Sequence, residues 1–175
     1  LDLRRAIANY LADSRGVRCE ADQVIVTNGT QYALTLCALL LTDPGDVVWV
    51  EDPSSSKPRI AFECQQARIV PVPVDAEGFM FERAMALAPD ARLCLLTPSR
   101  HYPLGMTLSL TRRIELLTWA RENRSWIIED DYDSEFRYMN RPLPAMQGLD
   151  QDGRVIYVGT FSKVLFPSLR LAYLV

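Results

Sequence analysis

The sequence predicts an α/β fold, a three-layer α/β/α sandwich built on a mostly parallel sheet of about seven strands. Two features lead there. Short β-rich runs alternate with helical segments along the chain, the order expected of successive βα units. Most of these runs are apolar without a period-two alternation, as strands covered on both faces must be. A chain of 175 residues, 49% hydrophobic and 23% charged, can bury one such core but not two full domains.

The elements follow in order. Residues 3–14 place Leu3, Ile7, Tyr10 and Leu11 on one helical face. A β-rich run at 23–27 leads through Asn28-Gly29-Thr30 into an apolar helix over 31–41. Asp43-Pro44-Gly45-Asp46 has turn composition, and 47–50 is a short buried strand behind it. The pattern repeats with a helix at 59–66, a strand at 68–72, a helix at 81–88 and a strand at 92–96. A longer helix over 111–122, marked by Ile114 and Leu117, precedes a strand at 126–129. Strands at 154–158 and 169–174 complete the sheet.

Composition narrows the function classes. The net charge of −3 gives no global attraction to nucleic acid or an anionic membrane, so a small-molecule partner is expected. No apolar stretch approaches the ~20 residues of a membrane span, and no secretory signal pattern opens the chain. Cys19, Cys37, Cys64 and Cys94 lack CxxC spacing and read as buried, reduced thiols. A cytoplasmic location follows. The start on Leu1 rather than Met, and the apolar run that ends the chain, predict a piece of a longer protein.

Ligands of open α/β sheets bind beyond the carboxyl ends of the strands, and four such positions are chemically loaded. Gly29-Thr30-Gln31 sets a glycine and a hydroxyl at a helix start, where free N–H groups favour a phosphate or the threonine merely caps the helix. Glu129-Asp130-Asp131-Tyr132-Asp133 begins at the end of an apolar strand. A carboxylate buried there needs a positive or donor partner: a protonated cofactor ring nitrogen, or a divalent metal. The bland alternative is a solvated acidic turn. Gly159-Thr160-Phe161-Ser162-Lys163 places one lysine before the apolar Val164-Leu165-Phe166, whose desolvation favours the neutral, nucleophilic amine. Arg170 lies seven residues on, a fixed cation for a phosphate. The fourth stretch, Thr97 to Gly105, contains His101, which either touches a ligand or sits on the surface.

Together these motifs resemble fold-type I pyridoxal 5'-phosphate (PLP) enzymes of the class I/II aminotransferase group. The resemblance is strongest to the aminotransferase-like domain of MocR-type (GntR family) transcriptional regulators. Its most specific stretches are Thr97-Pro98-Ser99 with Tyr102-Pro103-Leu104-Gly105, Ile128 to Tyr138, and Tyr157 to Lys163. The resemblance implies Lys163 as the Schiff-base lysine, Asp130 as the partner of the pyridinium nitrogen and Tyr132 as the phenol on the cofactor O3' oxygen. It makes these three the catalytic set. Gly29, Thr30, Gln31, Thr160, Ser162 and Arg170 would form the phosphate cup, and no metal is implied. Where the regulators carry an aromatic after Glu-Asp-Pro-Gly, this chain reads Glu51-Asp52-Pro53-Ser54-Ser55, so the stacking ring is missing.

The implied chemistry is of the transamination type, on an amino acid or amine. The alternative is an effector-sensing domain with little or no turnover. A homodimer is implied in the full-length protein, with DNA contacted only through a domain preceding Leu1, and a small C-terminal domain following. A metal-dependent phosphoryl-transfer protein built on the acidic run is the competing class.

Overall fold

The computed structural model describes residues 1–133 and 143–175. Among them one eight-stranded sheet has the order β1-β8-β7-β6-β5-β2-β3-β4. The strands are β1 Ile25–Asn28, β2 Val47–Asp52, β3 Arg68–Asp75, β4 Gly78–Phe79, β5 Leu93–Leu96, β6 Trp126–Asp131, β7 Val155–Thr160 and β8 Leu171–Leu174. Strands β3, β2, β5, β6 and β7 are mutually parallel. Strand β8 runs antiparallel between β7 and β1, and β4 is an antiparallel hairpin partner of β3.

The helices are α1 Asp2–Arg15, α2 Thr30–Leu41, α3 Ser56–Cys64, α4 Phe81–Leu87, α5 Leu110–Asn123 and α6 Met146–Leu149. From β2 the chain moves outward to β3, whereas β5, β6 and β7 progress in the other direction. Right-handed crossovers running opposite ways put their helices on opposite faces. Accordingly α2 and α3 bury Leu34, Cys37 and Phe62 against Val48, Val50, Leu95 and Ile128 on the front face. On the rear face α4 and α5 bury Ala84, Leu116, Trp119 and Ala120 against Trp49, Val72, Leu96 and Ile127. Helix α1 closes the rear by packing Ile7 and Leu11 on Tyr157 and Tyr173.

Each large apolar side chain removed from water contributes about 1.5–3 kcal/mol, so these two layers are the main source of stability. Trp49 anchors the rear layer. It stacks on Trp119 with 4.4 Å between ring centroids and donates its indole N–H to the Ala88 carbonyl at 3.0 Å, which satisfies that donor.

Three differences from the sequence expectation have physical causes. The sheet has an eighth strand, the two-residue β4, which exists only through its pairing with Val74 and Asp75 and is too short to show a period. The last strand starts at Leu171 rather than at 169, because a 3-10 turn over Pro167–Leu169 precedes it. Helix α3 starts three residues early, with Ser55 accepting a capping hydrogen bond from the Lys57 N–H. Of the cysteines expected to be buried, Cys37 and Cys94 are, Cys19 is half-buried and Cys64 is exposed; all are free. No helix among the described residues is long and apolar enough to cross a membrane.

Candidate active site

The topological reversal between β2 and β5 opens a crevice beyond their carboxyl ends, where loops depart toward opposite faces. A cavity of about 670 Å³ lies there. It falls within the usual range for small-molecule sites, ~300–1,000 Å³. Gly29, Thr30, Gln31, Asp130, Tyr132, Thr160, Ser162, Lys163 and Arg170 all line it, although they come from four separate segments of the chain.

One end is built to take an anion. Gly29 precedes α2 with φ 86° and ψ 160°, a conformation essentially restricted to glycine, and no side chain caps the first N–H groups of the helix. A Cβ on Gly29 would stand 3.1 Å from an Arg170 guanidinium nitrogen. Bare backbone at a helix N-terminus and a permanent cation therefore converge on one spot. Thr160 contributes a hydroxyl fixed from both sides: it donates to the Leu171 carbonyl at 3.3 Å and accepts the Ser162 N–H at 3.1 Å.

The other end is acidic. Strand β6 alternates, so Glu129 and Asp131 face the rear layer while Asp130 faces the cavity. All three carboxyls are buried, which excludes the solvated-turn reading of this run. Burial, then the neighbouring Asp131 and Asp133, push the Asp130 carboxyl up to about 7, and its Oδ1 has no hydrogen-bond partner among the described residues. A buried acceptor left open on a cavity floor is matched by a ligand that brings a donor. Tyr132 lies two residues on, its phenol pushed up to about 12 by burial and then by Asp133, and its ring meets Tyr102 edge-on at 6.5 Å.

Further lining residues were not assigned from the sequence. Glu51, at the end of β2, accepts from the Thr97 N–H at 2.9 Å and the Thr97 hydroxyl at 2.7 Å, which ties β2 to β5 at the cavity floor. Burial is the main cause that pushes its carboxyl up to about 7. Its position at the carboxyl end of a strand is the same signal that marked the others. Ser54, Ser55, Lys57 and Arg59 form the wall where the aromatic was missed, and Tyr102 lines the cavity with them.

Two expectations are corrected. His101 neither lines the cavity nor lies on the surface; it is buried behind Glu51, with Nε2 3.9 Å from the Glu51 carboxylate. Lys163 is exposed, and so are Val164, Leu165 and Phe166, which were expected to desolvate it. Those side chains point away from the core of this chain and leave Lys163 in contact with water. The motif residues Ser134 to Tyr138 lie outside the described residues. Among the described residues no three His, Cys, Asp or Glu side chains are grouped as a metal site.

The site thus joins an anion cradle, an open buried acceptor, a phenol and a lysine within one crevice of a doubly wound sheet. Comparison with known proteins identifies the class: the family model for aminotransferase class I and II matches residues 1–175, and the chain belongs to that family. Among its relatives, the probable rhizopine catabolism regulatory protein MocR of Rhizobium meliloti is 48% identical over 99% of this chain and 35% of that protein. The aromatic-amino-acid aminotransferase 1 of Thermococcus litoralis is 31% identical over 98% of this chain and 43% of that one. The crystal structure of an archaeal alanine:glyoxylate aminotransferase superposes with a TM-score of 0.93 at 33% identity, covering 99% of this chain and 45% of that chain. The chain therefore spans about a third of the length of the regulators it matches.

Proposed function

We propose that this chain binds PLP in the crevice, holds it as a Schiff base on Lys163, and exchanges that linkage for an amino acid or amine. The observation that carries the reading is Asp130, buried on the cavity floor with Oδ1 unpartnered among the described residues, in the same cavity as the anion cradle of Gly29 and Arg170. A protonated pyridine nitrogen supplies the missing donor to Asp130, and a phosphate is the anion that the helix N-terminus and guanidinium suit. When bound, the cofactor supplies an electron sink for bonds at the amine carbon. The residues of this chain do the rest: Asp130 holds the ring proton, Tyr132 orients the phenolic edge, and Thr30, Gln31, Thr160, Ser162 and Arg170 fix the phosphate.

The amine exchange serves effector sensing in a MocR-type regulator, with DNA contacted through a segment outside this chain. The 48% identity to a regulatory protein, against 31% to an aminotransferase, favours this use. A homodimer fits the exposed Val164, Leu165, Phe166 and Leu169 beside Lys163, which a second copy would cover. Full amino-group transfer is the second reading, supported by the close superposition on an aminotransferase.

The test is to add PLP to the full-length protein and to its Lys163→Ala variant and record visible spectra. A Schiff-base band is expected in the first and not in the second. A band that survives the substitution overturns the role of Lys163, and no band in either overturns the cofactor. Adding candidate amines and assaying for released 2-oxo acid then separates sensing, which shifts the spectrum without product, from transfer.

A further inference from the structure

Behind the cavity floor lies a second polar cluster that no step above uses. Arg15, the last residue of α1, is 4% exposed and reaches the end of β6 from 116 residues away in sequence. Its Nε donates to Asp131 Oδ2 at 2.7 Å, one terminal nitrogen donates to the Ser99 hydroxyl at 2.5 Å, and the other to the Leu143 carbonyl at 3.4 Å. The Tyr157 hydroxyl donates to the same Asp131 oxygen at 2.7 Å. The Arg15 carbonyl in turn accepts the Ala145 N–H at 2.9 Å, so the arginine is held from both its backbone and its side chain.

This geometry has a consequence on the front of the sheet. Asp131 directly follows Asp130, and the two carboxyls point to opposite faces of the strand. Three consecutive buried carboxyls therefore share one strand end. Glu129 is answered by the Met146 and Gln147 N–H groups and by nearby Arg113, and Asp131 by Arg15 and Tyr157. The Asp130 carboxyl feels the negative charges of Asp131 and Asp133 and lies near the carboxyl of Glu51, with no hydrogen-bond partner for its Oδ1 among the described residues. In a buried cluster charges are poorly screened, so the counter-charge on Asp131 is felt at the cavity floor.

We propose that Arg15 is a positioning residue for the cavity. Through Asp131 it fixes the end of β6 that carries Asp130, and its charge offsets the acidic cluster behind the site. The proposal rests on the cofactor reading above. A guanidinium suits the task because its planar fork serves Asp131, Ser99 and Leu143 at once, which a point-charge ammonium cannot do. Its charge and its fork are separable by substitution, and so are their effects.

The experiment uses the full-length protein with PLP bound and follows the visible Schiff-base band against pH. Arg15→Met removes the cation and makes the field in the cavity more negative. The pH midpoint of the band is expected to rise by about 0.5–1 pH unit, because the Schiff-base nitrogen holds its proton longer. Arg15→Lys keeps the charge and is expected to restore the midpoint to within about 0.3 pH unit while still losing thermal stability with the fork. Tyr157→Phe removes a neutral donor from Asp131 and moves the midpoint upward by less than Arg15→Met. A purely structural role lowers the melting temperature of all three and leaves the midpoint where it was, and that result overturns the proposal. Should Arg15→Met fail to fold, an unmoved midpoint in Tyr157→Phe overturns it equally. Absence of a band in the unsubstituted protein sinks the cofactor reading instead, so the two failures are distinguishable.

Discussion

Replacing Asp130 by Asn should stabilise the cofactor-free protein at alkaline pH while abolishing cofactor binding. In the native state the Asp130 carboxyl is pushed from 3.8 up to about 7, chiefly by burial. Between these two values the native state holds a proton that the unfolded chain has released, so stability falls as pH rises through that window and is level above it. At about 1.4 kcal/mol per pH unit the full interval corresponds to roughly 4 kcal/mol. Relaxation around a buried charge reduces this to about 2 kcal/mol. For a chain of this size that is a melting-temperature difference of about 4–8 °C. The asparagine is neutral at every pH, so its advantage should be clearly smaller at about pH 5, partway through the window, than at about pH 8.5, where it is full. Thermal melts by circular dichroism at the two pH values, without and with PLP, measure it. With cofactor at about 100 times its Kd the unsubstituted protein should gain roughly 3 kcal/mol and overtake the variant, which gains nothing. An Asn variant that melts no higher than the parent at alkaline pH, or by the same margin at both pH values, refutes the reasoning.

Three further outcomes follow from particular contacts. Gly29→Ala forces a Cβ into a glycine-only conformation 3.1 Å from the Arg170 guanidinium, and should weaken PLP binding by about 10–100-fold in a spectroscopic titration. Gly159→Ala puts a Cβ about 2.5 Å from the buried Tyr173 ring, and overpacking of about 1–3 kcal/mol should lower the melting temperature by several degrees. Ser55→Tyr returns a ring to the cavity wall; the gain of about 1 kcal/mol from aromatic contact should tighten PLP about fivefold, since the capping bond it removes is long at 3.4 Å.

What could be read in advance divides along physical lines. The strands at 47–50, 92–96 and 126–129 were legible because burial on both faces leaves an unbroken apolar run, a local signal. Asp130, Thr160 and Gly29 were legible because a parallel sheet delivers whatever follows each strand to one crevice. Strand β4 was not legible, because two residues carry no period and their structure comes from a partner strand. Arg15 was unreadable for a different reason. It sits at the end of an amphipathic helix, where a basic residue near the carboxyl end is unremarkable, and its partner Asp131 is 116 residues distant. The surroundings of Lys163 differ from the sequence expectation because Val164, Leu165 and Phe166 face outward instead of packing within the chain.

That last point bears on which use of the chemistry this chain supports. Reversible exchange of one amine for another on a Schiff base needs a lysine within reach and a cofactor held at both ends, and Lys163, Asp130 and Arg170 line the same cavity. Moving a proton at the amine carbon asks for more: water excluded from the reacting atoms and a lysine poised between its two charge states. In this chain Lys163 is an exposed residue at the cavity wall, followed by the exposed apolar side chains of Val164, Leu165 and Phe166. On the function proposed above, sensing would need only the residues described here, whereas turnover would also need a surface that buries Val164, Leu165 and Phe166. A charged substitution at Leu165, exposed here at 59%, separates the two: it should leave the amine-induced spectral shift in place and suppress product release. Loss of both together would mean that the cover is required for binding itself.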